Sequence, residues 1–180
     1  MSKNVLIISS TLRQNGNSEI LAQEFAHGAK DAGHNMEFIS LRDKEIKFCR
    51  GCLACVKTQK CTIKDDSCEI VEKMKNADVI VFATPIYYYE MSGQLKTLLD
   101  RANPLFSSDY KFRDIYFLTS AADTEKNAAD GAINGINGWI VCFEKAKLKT
   151  TLHAGGVETP GSIKEQPDLL KKAYDTGKNV

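Results

Sequence analysis

The sequence has little net charge and no long apolar segment near its start, and these absences narrow the classes of function. Its 24 basic and 23 acidic residues leave a net charge of +1, so no broad field would attract nucleic acid or an anionic membrane. The opening segment MSKNVLIISS contains one short apolar run, far below the length of a signal sequence or a membrane span. We therefore expect a cytoplasmic protein whose partners are small molecules or other proteins.

Several nucleotide-binding motifs are also missing after the first apolar run. The segment 9–18 contains neither G-x-G-x-x-G nor G-x-x-x-x-G-K-S/T, which disfavours a dinucleotide bound by its pyrophosphate and a nucleoside triphosphate. It has no acidic residue to accept a phosphoryl group and no cysteine to act as the nucleophile of a small phosphatase. The remaining chemistry of this segment must come from hydroxyl, amide and guanidinium groups.

Apolar segments alternate between strand and helix periodicity along the chain. Strands are predicted at residues 5–9, 36–40, 79–84, 115–119 and 149–154, and helices at 18–30, 67–76, 92–102, 127–146 and 166–176. Such alternation is typical of an α/β fold, in which right-handed crossovers place helices on both faces of a parallel sheet. We predict one domain over residues 1–180 with a doubly wound, five-stranded parallel sheet of order 2-1-3-4-5. Its ligand crevice should lie at the carboxyl ends of strands one, three and four.

The loop after the first strand is rich in hydrogen-bond donors and leads directly into a predicted helix. Hydroxyl groups, free amides and an arginine at a helix N-terminus suit a phosphate monoester, which the helix dipole also favours. The candidate ligands are Ser10, Thr11, Arg13, Asn17 and Ser18. The alternative is a polar turn in which Ser18 acts only as the helix cap.

The loop after the third strand places three aromatic residues beside a proline that stiffens the turn. A flat heterocyclic ring would find a stacking surface there. The candidate residues are Pro85, Ile86, Tyr87, Tyr88 and Tyr89. The alternative is that these tyrosines pack a loop or a subunit contact. Taken together, the two loops indicate a ligand that combines a phosphate with a planar heterocycle.

The motifs of these two loops resemble those of the NADPH-dependent FMN reductase family, in the flavodoxin superfamily. The family's first motif, G-S-P-R-x-x-G-N-S/T, is matched at Arg13, Gly16, Asn17 and Ser18, with Thr11 as the hydroxyl residue. Its second, T-P-x-Y followed by S-G-x-L-K and Asp-Arg, is matched at Thr84, Pro85, Tyr87, Ser92, Gly93, Leu95, Lys96, Asp100 and Arg101. Ser10 and Leu12 depart from the Gly and Pro of the first motif, which puts the geometry of that turn in question.

The resemblance implies a flavodoxin-like fold with FMN as cofactor and NAD(P)H as co-substrate. It implies that Thr11, Arg13, Asn17 and Ser18 hold the FMN phosphate, that residues 85–89 line the isoalloxazine, and that Ser120 and Ala121 edge it. Such a protein passes electrons to a small acceptor, such as a quinone, a nitro or azo compound or a flavin, and needs no catalytic acid because the flavin accepts the hydride. The resemblance also implies a homodimer or homotetramer. We assign no role to the three histidines beyond the surface or helix ends.

Four cysteines form a compact array between the second and third strands. Cys49, Cys52, Cys55 and Cys61 follow the spacing C-x2-C-x2-C-x5-C, which suits the thiolate ligands of a 4Fe-4S cluster. The array resembles that of the iron-sulfur flavoproteins of the same family, which makes an electron carrier with a ferredoxin-like partner the alternative function. A tetrahedral Zn site, a redox-active thiol pair and packing without a ligand remain the other interpretations.

Three polar or thiol features near this array receive structural interpretations only. Cys68 and Cys142 lie outside the array and are expected to be small buried side chains. The adjacent pair Asp65 and Asp66 is interpreted as a solvated turn.

Overall fold

The computed structural model describes residues 1–180 and contains one mainly parallel β-sheet. Its strands are β1 (Asn4–Ser9), β2 (Asn35–Ser40), β3 (Val79–Tyr87), β4 (Glu90–Met91), β5 (Asp114–Ser120) and β6 (Lys147–Ala154). The parallel strands follow the order β2-β1-β3-β5-β6, and the short β4 pairs antiparallel with β3. The predicted order 2-1-3-4-5 is therefore confirmed, since β5 and β6 are the fourth and fifth strands of the prediction.

Helices cover both faces of this sheet. They are α1 (Asn17–Asp31), α2 (Ala54–Thr58), α3 (Ser67–Asn76), α4 (Gly93–Arg101), α5 (Asp130–Ile140) and α6 (Pro167–Lys178). Short 3-10 turns follow α4 at Asn103–Leu105 and precede α6 at Ser162–Glu165. None of these helices is both long enough and apolar enough to cross a lipid bilayer.

One predicted helix differs from the structure in extent, and one helix of the structure was not predicted. The helix predicted at residues 127–146 is shorter at both ends, because residues 124–129 form a loop and turn before α5 and a turn beginning at Val141 leads into β6. The five-residue α2 was not predicted, because a single short turn within the cysteine array has no apolar periodicity to reveal it.

The core consists of two apolar layers, one on each face of the sheet. One layer joins α1 and α6 to the sheet through side chains such as Ile7, Leu21 and Phe25. The other joins α3, α4 and α5 to the opposite face, with Phe82 and Phe117 at its centre. These layers hold the carboxyl ends of β1, β3 and β5 side by side, which is where the predicted ligand loops emerge.

Strand β3 continues past its predicted end through Pro85. A proline lacks the amide hydrogen that a central strand needs, which is why the prediction ended at Thr84. The neighbouring strand β1 last pairs with β3 at Ala83. Pro85 lies beyond the end of this β1–β3 pairing, so its missing amide hydrogen costs no hydrogen bond between these two strands. Strand β3 then pairs with β4 across a two-residue turn formed by Tyr88 and Tyr89.

Candidate functional site

The N-terminus of α1 presents several donors that no protein group accepts. The helix begins at Asn17, with Gly16 as its cap residue, so the prediction that Ser18 caps the helix is wrong. A glycine cap supplies no side-chain acceptor, and the backbone amides of residues 17–19 make no hydrogen bond within the protein. The hydroxyl of Ser18 is fully buried and also has no partner.

This donor arrangement fits the phosphate of FMN. Buried polar groups are almost always satisfied, so a buried hydroxyl beside three free amides indicates a missing acceptor. Thr11 closes the loop from the other side, because its Oγ1 accepts a hydrogen bond of 3.2 Å from the amide of Arg13. A Cβ added to Gly16 would stand 2.5 Å from that same Oγ1, so only glycine lets the loop approach so closely.

Arg13 and Asn17 are also bound to a loop that the sequence did not indicate, at residues 157–163. The guanidinium of Arg13 donates to the carbonyl of Glu158 at 2.8 Å. The side-chain amide of Asn17 donates to the carbonyls of Val157 and Thr159 at 3.1 and 2.9 Å, and its Oδ1 accepts from the amide of Ile163 at 3.2 Å. The Asn17 side chain is therefore occupied with holding this loop, which leaves its backbone amide free.

A cavity of about 240 Å³ brings most of the predicted flavin ligands together. It lies between the loops that follow β1, β3, β5 and β6, and Glu158 and Pro160 also line it. The predicted residues in its wall are Thr11, Arg13, Asn17, Pro85, Ile86, Tyr87, Ser120 and Ala121.

The other four predicted ligands, Ser10, Ser18, Tyr88 and Tyr89, do not line that cavity. Ser10 is buried behind it, where its hydroxyl donates to the carbonyl of Ala83 at 3.2 Å. Ser18 is in the first turn of α1, where its side chain is fully buried. The two tyrosines form the turn between β3 and β4.

That hairpin turn has an uncommon backbone for its residues. Tyr88 and Tyr89 both have positive φ angles, of 50° and 65°, which is the pattern of a type I′ turn and is normally adopted by Asn-Gly or Gly-Gly. The Tyr88 side chain is fully exposed, whereas the Tyr89 hydroxyl donates to Asp123 at 3.1 Å. This hydrogen bond raises the pKa of Tyr89 and ties the turn to the loop after β5.

His153 lies at the carboxyl end of β6, near the loops of the site, rather than at the surface or a helix end. Its Nδ1 is 2.8 Å from the hydroxyl of Thr119, and its Nε2 is buried without a partner. Burial lowers the pKa of His153, so the ring is neutral at pH 7. Lone histidines give no sequence signal, which explains why this one was assigned to the surface or a helix end.

The four cysteines of the array line a second cavity, of about 350 Å³. None of them is in a disulfide; Cys49 and Cys52 are exposed, Cys61 is half-buried and Cys55 is buried. Asp100 and Asn103, at the C-terminal end of α4 and just beyond it, complete the wall. Outside the array, Cys142 is exposed and Cys68 only half-buried, so the expectation that both are buried is wrong.

Each sulfur of the array has a hydrogen-bond donor next to it. The amide of Gly51 donates to Cys49 at 3.4 Å, the side chain of Asn103 to Cys55 at 3.0 Å, and the guanidinium of Arg101 to Cys61 at 3.4 Å. The backbone amide of Ala54 and the hydroxyl of Thr62 lower the pKa of Cys52. Donors directed at sulfur stabilise thiolates, which are the form of cysteine that binds metals.

Arg101 fastens both ends of the cysteine array to the protein. Its guanidinium is fully buried and donates to the carbonyls of Lys47 and Ile63 at 2.7 and 3.1 Å. It also forms a two-point ion pair with Asp65, at 2.6 and 3.1 Å. Burial alone would raise the pKa of Asp65, but hydrogen bonds from Arg101, the Lys47 amide and Ser67 lower it to about 2. The interpretation of Asp65 as part of a solvated turn is therefore wrong.

Helix α4 connects the two cavities. Its cap residue, Ser92, contacts Ser10 behind the first cavity, whereas Asp100 and Asn103 line the second. The nine residues of α4 span about 13 Å, so the two cavities lie at opposite ends of one short rigid element.

Comparison with known proteins supports this description. Residues 3–131 match the model of the NADPH-dependent FMN reductase family. An iron-sulfur flavoprotein of Methanocaldococcus jannaschii is 34% identical over 98% of this chain and 94% of its own length. An iron-sulfur flavoprotein of Methanosarcina thermophila is 28% identical over 96% of this chain and 91% of its own.

Solved structures show the same fold at lower identity. An NAD(P)H:quinone oxidoreductase from Methanothermobacter marburgensis superposes with a TM-score of 0.80 at 21% identity, over 99% of this chain and 96% of that one. An azoreductase from Bacillus anthracis gives a TM-score of 0.73 at 15% identity, over the whole of both chains. The predicted flavodoxin-like fold, FMN cofactor and NAD(P)H oxidoreductase class are thereby confirmed. The chain belongs to the NADPH-dependent FMN reductase family.

Proposed function

We propose that residues 1–180 form one FMN-binding domain that passes electrons from NAD(P)H to a small acceptor. The observation that carries this proposal is the set of unsatisfied donors at the start of α1, namely the buried Ser18 hydroxyl and the free amides of residues 17–19. Such a set suits a phosphate at a helix N-terminus, and the adjoining cavity is lined by Pro85, Ile86 and Tyr87.

Different residues of the site would bind the phosphate and the ring of FMN. Ser18 and the first amides of α1 would donate hydrogen bonds to the phosphate, and Thr11 and Arg13 in the cavity wall would lie beside it. Pro85, Ile86 and Tyr87, together with Ser120 and Ala121, line the same cavity and would border the ring. Bound FMN supplies a hydride acceptor, and the protein supplies its position and access.

We infer that the acceptor is a quinone, a nitro or azo compound, or a free flavin. The half-exposed Tyr87 gives the wall of the cavity an accessible aromatic ring, which suits a flat substrate. The quinone oxidoreductase and azoreductase that share this fold are consistent with that class.

A flavin titration of the apoprotein tests the site. Replacing Ser18→Ala removes the buried hydroxyl, and we expect the dissociation constant for FMN to rise about tenfold, as for one lost hydrogen bond to a charged group. The exposed Ser2→Ala is the matched control and should bind FMN like the wild type. NADPH or NADH should then bleach the bound flavin; absence of flavin binding, or unchanged binding in Ser18→Ala, would contradict the proposal.

A second candidate function follows from the cysteine cavity: we propose that it holds a 4Fe-4S cluster and that the protein also carries single electrons. Four thiols around one cavity, each with a donor beside its sulfur, fit the donor set of such a cluster. No three His, Cys, Asp or Glu side chains lie close enough together to share a single metal ion. The cluster proposal therefore rests on the shared cavity and on the donors beside each sulfur. The names of the iron-sulfur flavoprotein relatives are consistent with it.

Anaerobic purification followed by iron and acid-labile sulfide analysis tests the cluster. We expect about four irons and four sulfides per chain, lost in Cys55→Ser and retained in Cys68→Ser. Flavin without iron or sulfide would leave a plain FMN reductase. We also infer a cytoplasmic location, because six thiols without a disulfide suit a reducing compartment. We further infer a homodimer or homotetramer, as the family resemblance implies. Light scattering distinguishes these two assemblies from a monomer.

A further inference from the structure

The carboxyl end of β2 contributes an arginine to the loop that follows β1. The end of β2 is held beside the end of β1, because the amide of Leu41 donates to the Ser9 carbonyl at 2.8 Å. Arg42 comes next, and its Nη2 donates to the carbonyl of Arg13 at 2.8 Å. The same nitrogen lies 2.5 Å from the carboxylate of Glu19. Arg42 therefore joins the loop after β1 to the first turn of α1.

Glu19 brings a negative charge to the helix end that is proposed to bind a phosphate. It lies in the first turn of α1, is only 8% exposed, and its own amide is one of the three free amides. A carboxylate and a phosphate repel each other strongly where little water screens them. The ion pair with Arg42 is the only one that Glu19 makes. Arg42 is thus the group that neutralises this carboxylate.

Arg42 also fixes the direction of one peptide group in the loop. The carbonyl of Arg13 accepts from Arg42 and, at 3.2 Å, from the amide of Gly16, so it is held between two donors. In a trans peptide the amide hydrogen points opposite to the carbonyl oxygen, so the amide of Gln14 points away from Arg42. That amide makes no hydrogen bond within the protein. Reversing this peptide would put a carbonyl oxygen in its place, which would repel an anion.

The two contacts of Arg42 do not complete its hydrogen bonding. Its Nε is buried and has no acceptor, and an unmade hydrogen bond of a charged group costs stability. A partly buried ion pair of this kind is also weak evidence for a stabilising role. Its place beside the free amides of α1 therefore indicates a role in binding a ligand.

We propose that Arg42 is a positioning residue for the FMN phosphate. It neutralises Glu19 beside the free amides of α1, and it holds the peptide between Arg13 and Gln14 with the amide hydrogen directed away from its guanidinium. This inference rests on the proposed FMN site at the start of α1. Because Arg42 acts on the phosphate alone, its removal should weaken binding of FMN and spare binding of riboflavin, which lacks the phosphate.

Titration with FMN and with riboflavin, followed by flavin fluorescence, separates the two effects. The full chain freed of its flavin is compared as wild type, Arg42→Met, which removes the charge, and Arg42→Lys, which keeps it. The control is Arg113→Met, since Arg113 also donates to backbone carbonyls, of Lys111 and Phe112 at 2.8 and 2.9 Å, but lies just before β5 at the opposite edge of the sheet from the loops of the site. Circular dichroism checks that each variant is folded.

We expect the dissociation constant for FMN to rise about tenfold in Arg42→Met, whereas that for riboflavin stays within about twofold of the wild type. Arg42→Lys and Arg113→Met should bind FMN within about threefold of the wild type. Adding Glu19→Gln to Arg42→Met should recover part of the lost affinity, because no carboxylate then remains to be neutralised.

The double variant also keeps the test valid if the unpaired carboxylate unfolds Arg42→Met, because it contains no unpaired buried charge. It should bind FMN about threefold more weakly than Glu19→Gln alone, and this remaining difference measures the loss of the fixed peptide.

Several results would overturn this role. Equal loss of FMN and riboflavin affinity in Arg42→Met would show that Arg42 only supports the fold. Unchanged FMN affinity in that variant, or the same loss in Arg113→Met, would remove the specific link to the phosphate. A double variant as weak as Arg42→Met would exclude the neutralisation of Glu19, and one as tight as Glu19→Gln would exclude the fixed peptide. A wild type that binds no FMN would overturn the proposed function and this inference with it, whereas the other results leave FMN binding by the wild type intact.

Discussion

The hydroxyls of Ser10 and Ser92 lie 2.9 Å apart, and this contact joins the loop after β1 to helix α4. Ser92 donates to Ser10, which in turn donates to the Ala83 carbonyl at 3.2 Å, while the Ser92 hydroxyl accepts from the Leu95 amide at 3.4 Å. The chain of hydrogen bonds therefore runs from the cap of α4 through the first loop to strand β3. Ser10, predicted as a flavin ligand, has the only hydrogen of its hydroxyl directed at the Ala83 carbonyl in this chain.

Replacing Ser92→Ala should both destabilise the protein and weaken FMN binding. The change removes the cap of α4 and leaves the buried Ser10 hydroxyl without its donor, which costs about 1–2 kcal/mol of unfolding free energy. Urea unfolding of the apoprotein measures the first effect, and FMN titration measures the second. Equal unfolding midpoints and equal FMN affinity in Ser92→Ala and wild type would show that the hydroxyl chain does not support the loop.

Replacing Gly16→Ala should weaken FMN binding more than it affects stability. The new Cβ would stand 2.5 Å from Thr11 Oγ1, so the Thr11 side chain must move away from the loop. We expect the FMN dissociation constant to rise at least about tenfold, which is about 1.4 kcal/mol. Gly93→Ala is the control, because a Cβ there meets nothing within 4 Å. Similar FMN affinity in both variants would contradict the close approach of the loop.

The parts of the structure that the sequence predicted are those with a repeating signal. Apolar periodicity predicted the parallel strands and their order, and motif spacing predicted which loops meet at the first cavity. The turn at Tyr88 and Tyr89 was missed because two tyrosines with positive φ contradict the usual turn residues, and only pairing between β3 and β4 imposes it. The ion pair between Asp65 and Arg101 was missed because its partners are 36 residues apart.

That ion pair makes stability depend on pH in the acid range. The pKa of Asp65 is about 2 in the folded protein against an ordinary value of 3.8, so the folded state favours the ionised carboxylate. The resulting stabilisation, about 2 kcal/mol, is complete above about pH 4 and is lost as the pH falls through 2. Urea unfolding at several pH values should show this loss in the wild type and not in Asp65→Asn.

The matched control for Asp65 is the neighbouring Asp66. Its side chain is 35% exposed, lies 3.8 Å from Lys44 and accepts a hydrogen bond of 2.7 Å from the Glu45 amide, so it is in no buried ion pair. Asp66→Asn should therefore keep the acid-dependent loss of stability seen in the wild type. If Asp65→Asn lost stability between pH 4 and 2 as steeply as Asp66→Asn, the buried pair would not be the source of the effect.

Asn103→Ala should lower the reduction potential of the proposed cluster without removing it. The Asn103 side chain donates to Cys55 at 3.0 Å, and a donor to sulfur stabilises the reduced, more negative state of a cluster more than the oxidised one. If the bond favours the reduced state by about 1 kcal/mol, its loss lowers the potential by about 40 mV for a one-electron couple. A redox titration followed by electron paramagnetic resonance measures this shift, with Asn76→Ala at the end of α3 as the control.

Iron content should equal that of the wild type in both variants, because all four cysteines are kept. An unchanged potential in Asn103→Ala would show that Asn103 does not tune the group at Cys55, whereas a shift confined to this variant would assign the tuning to the residue that follows α4.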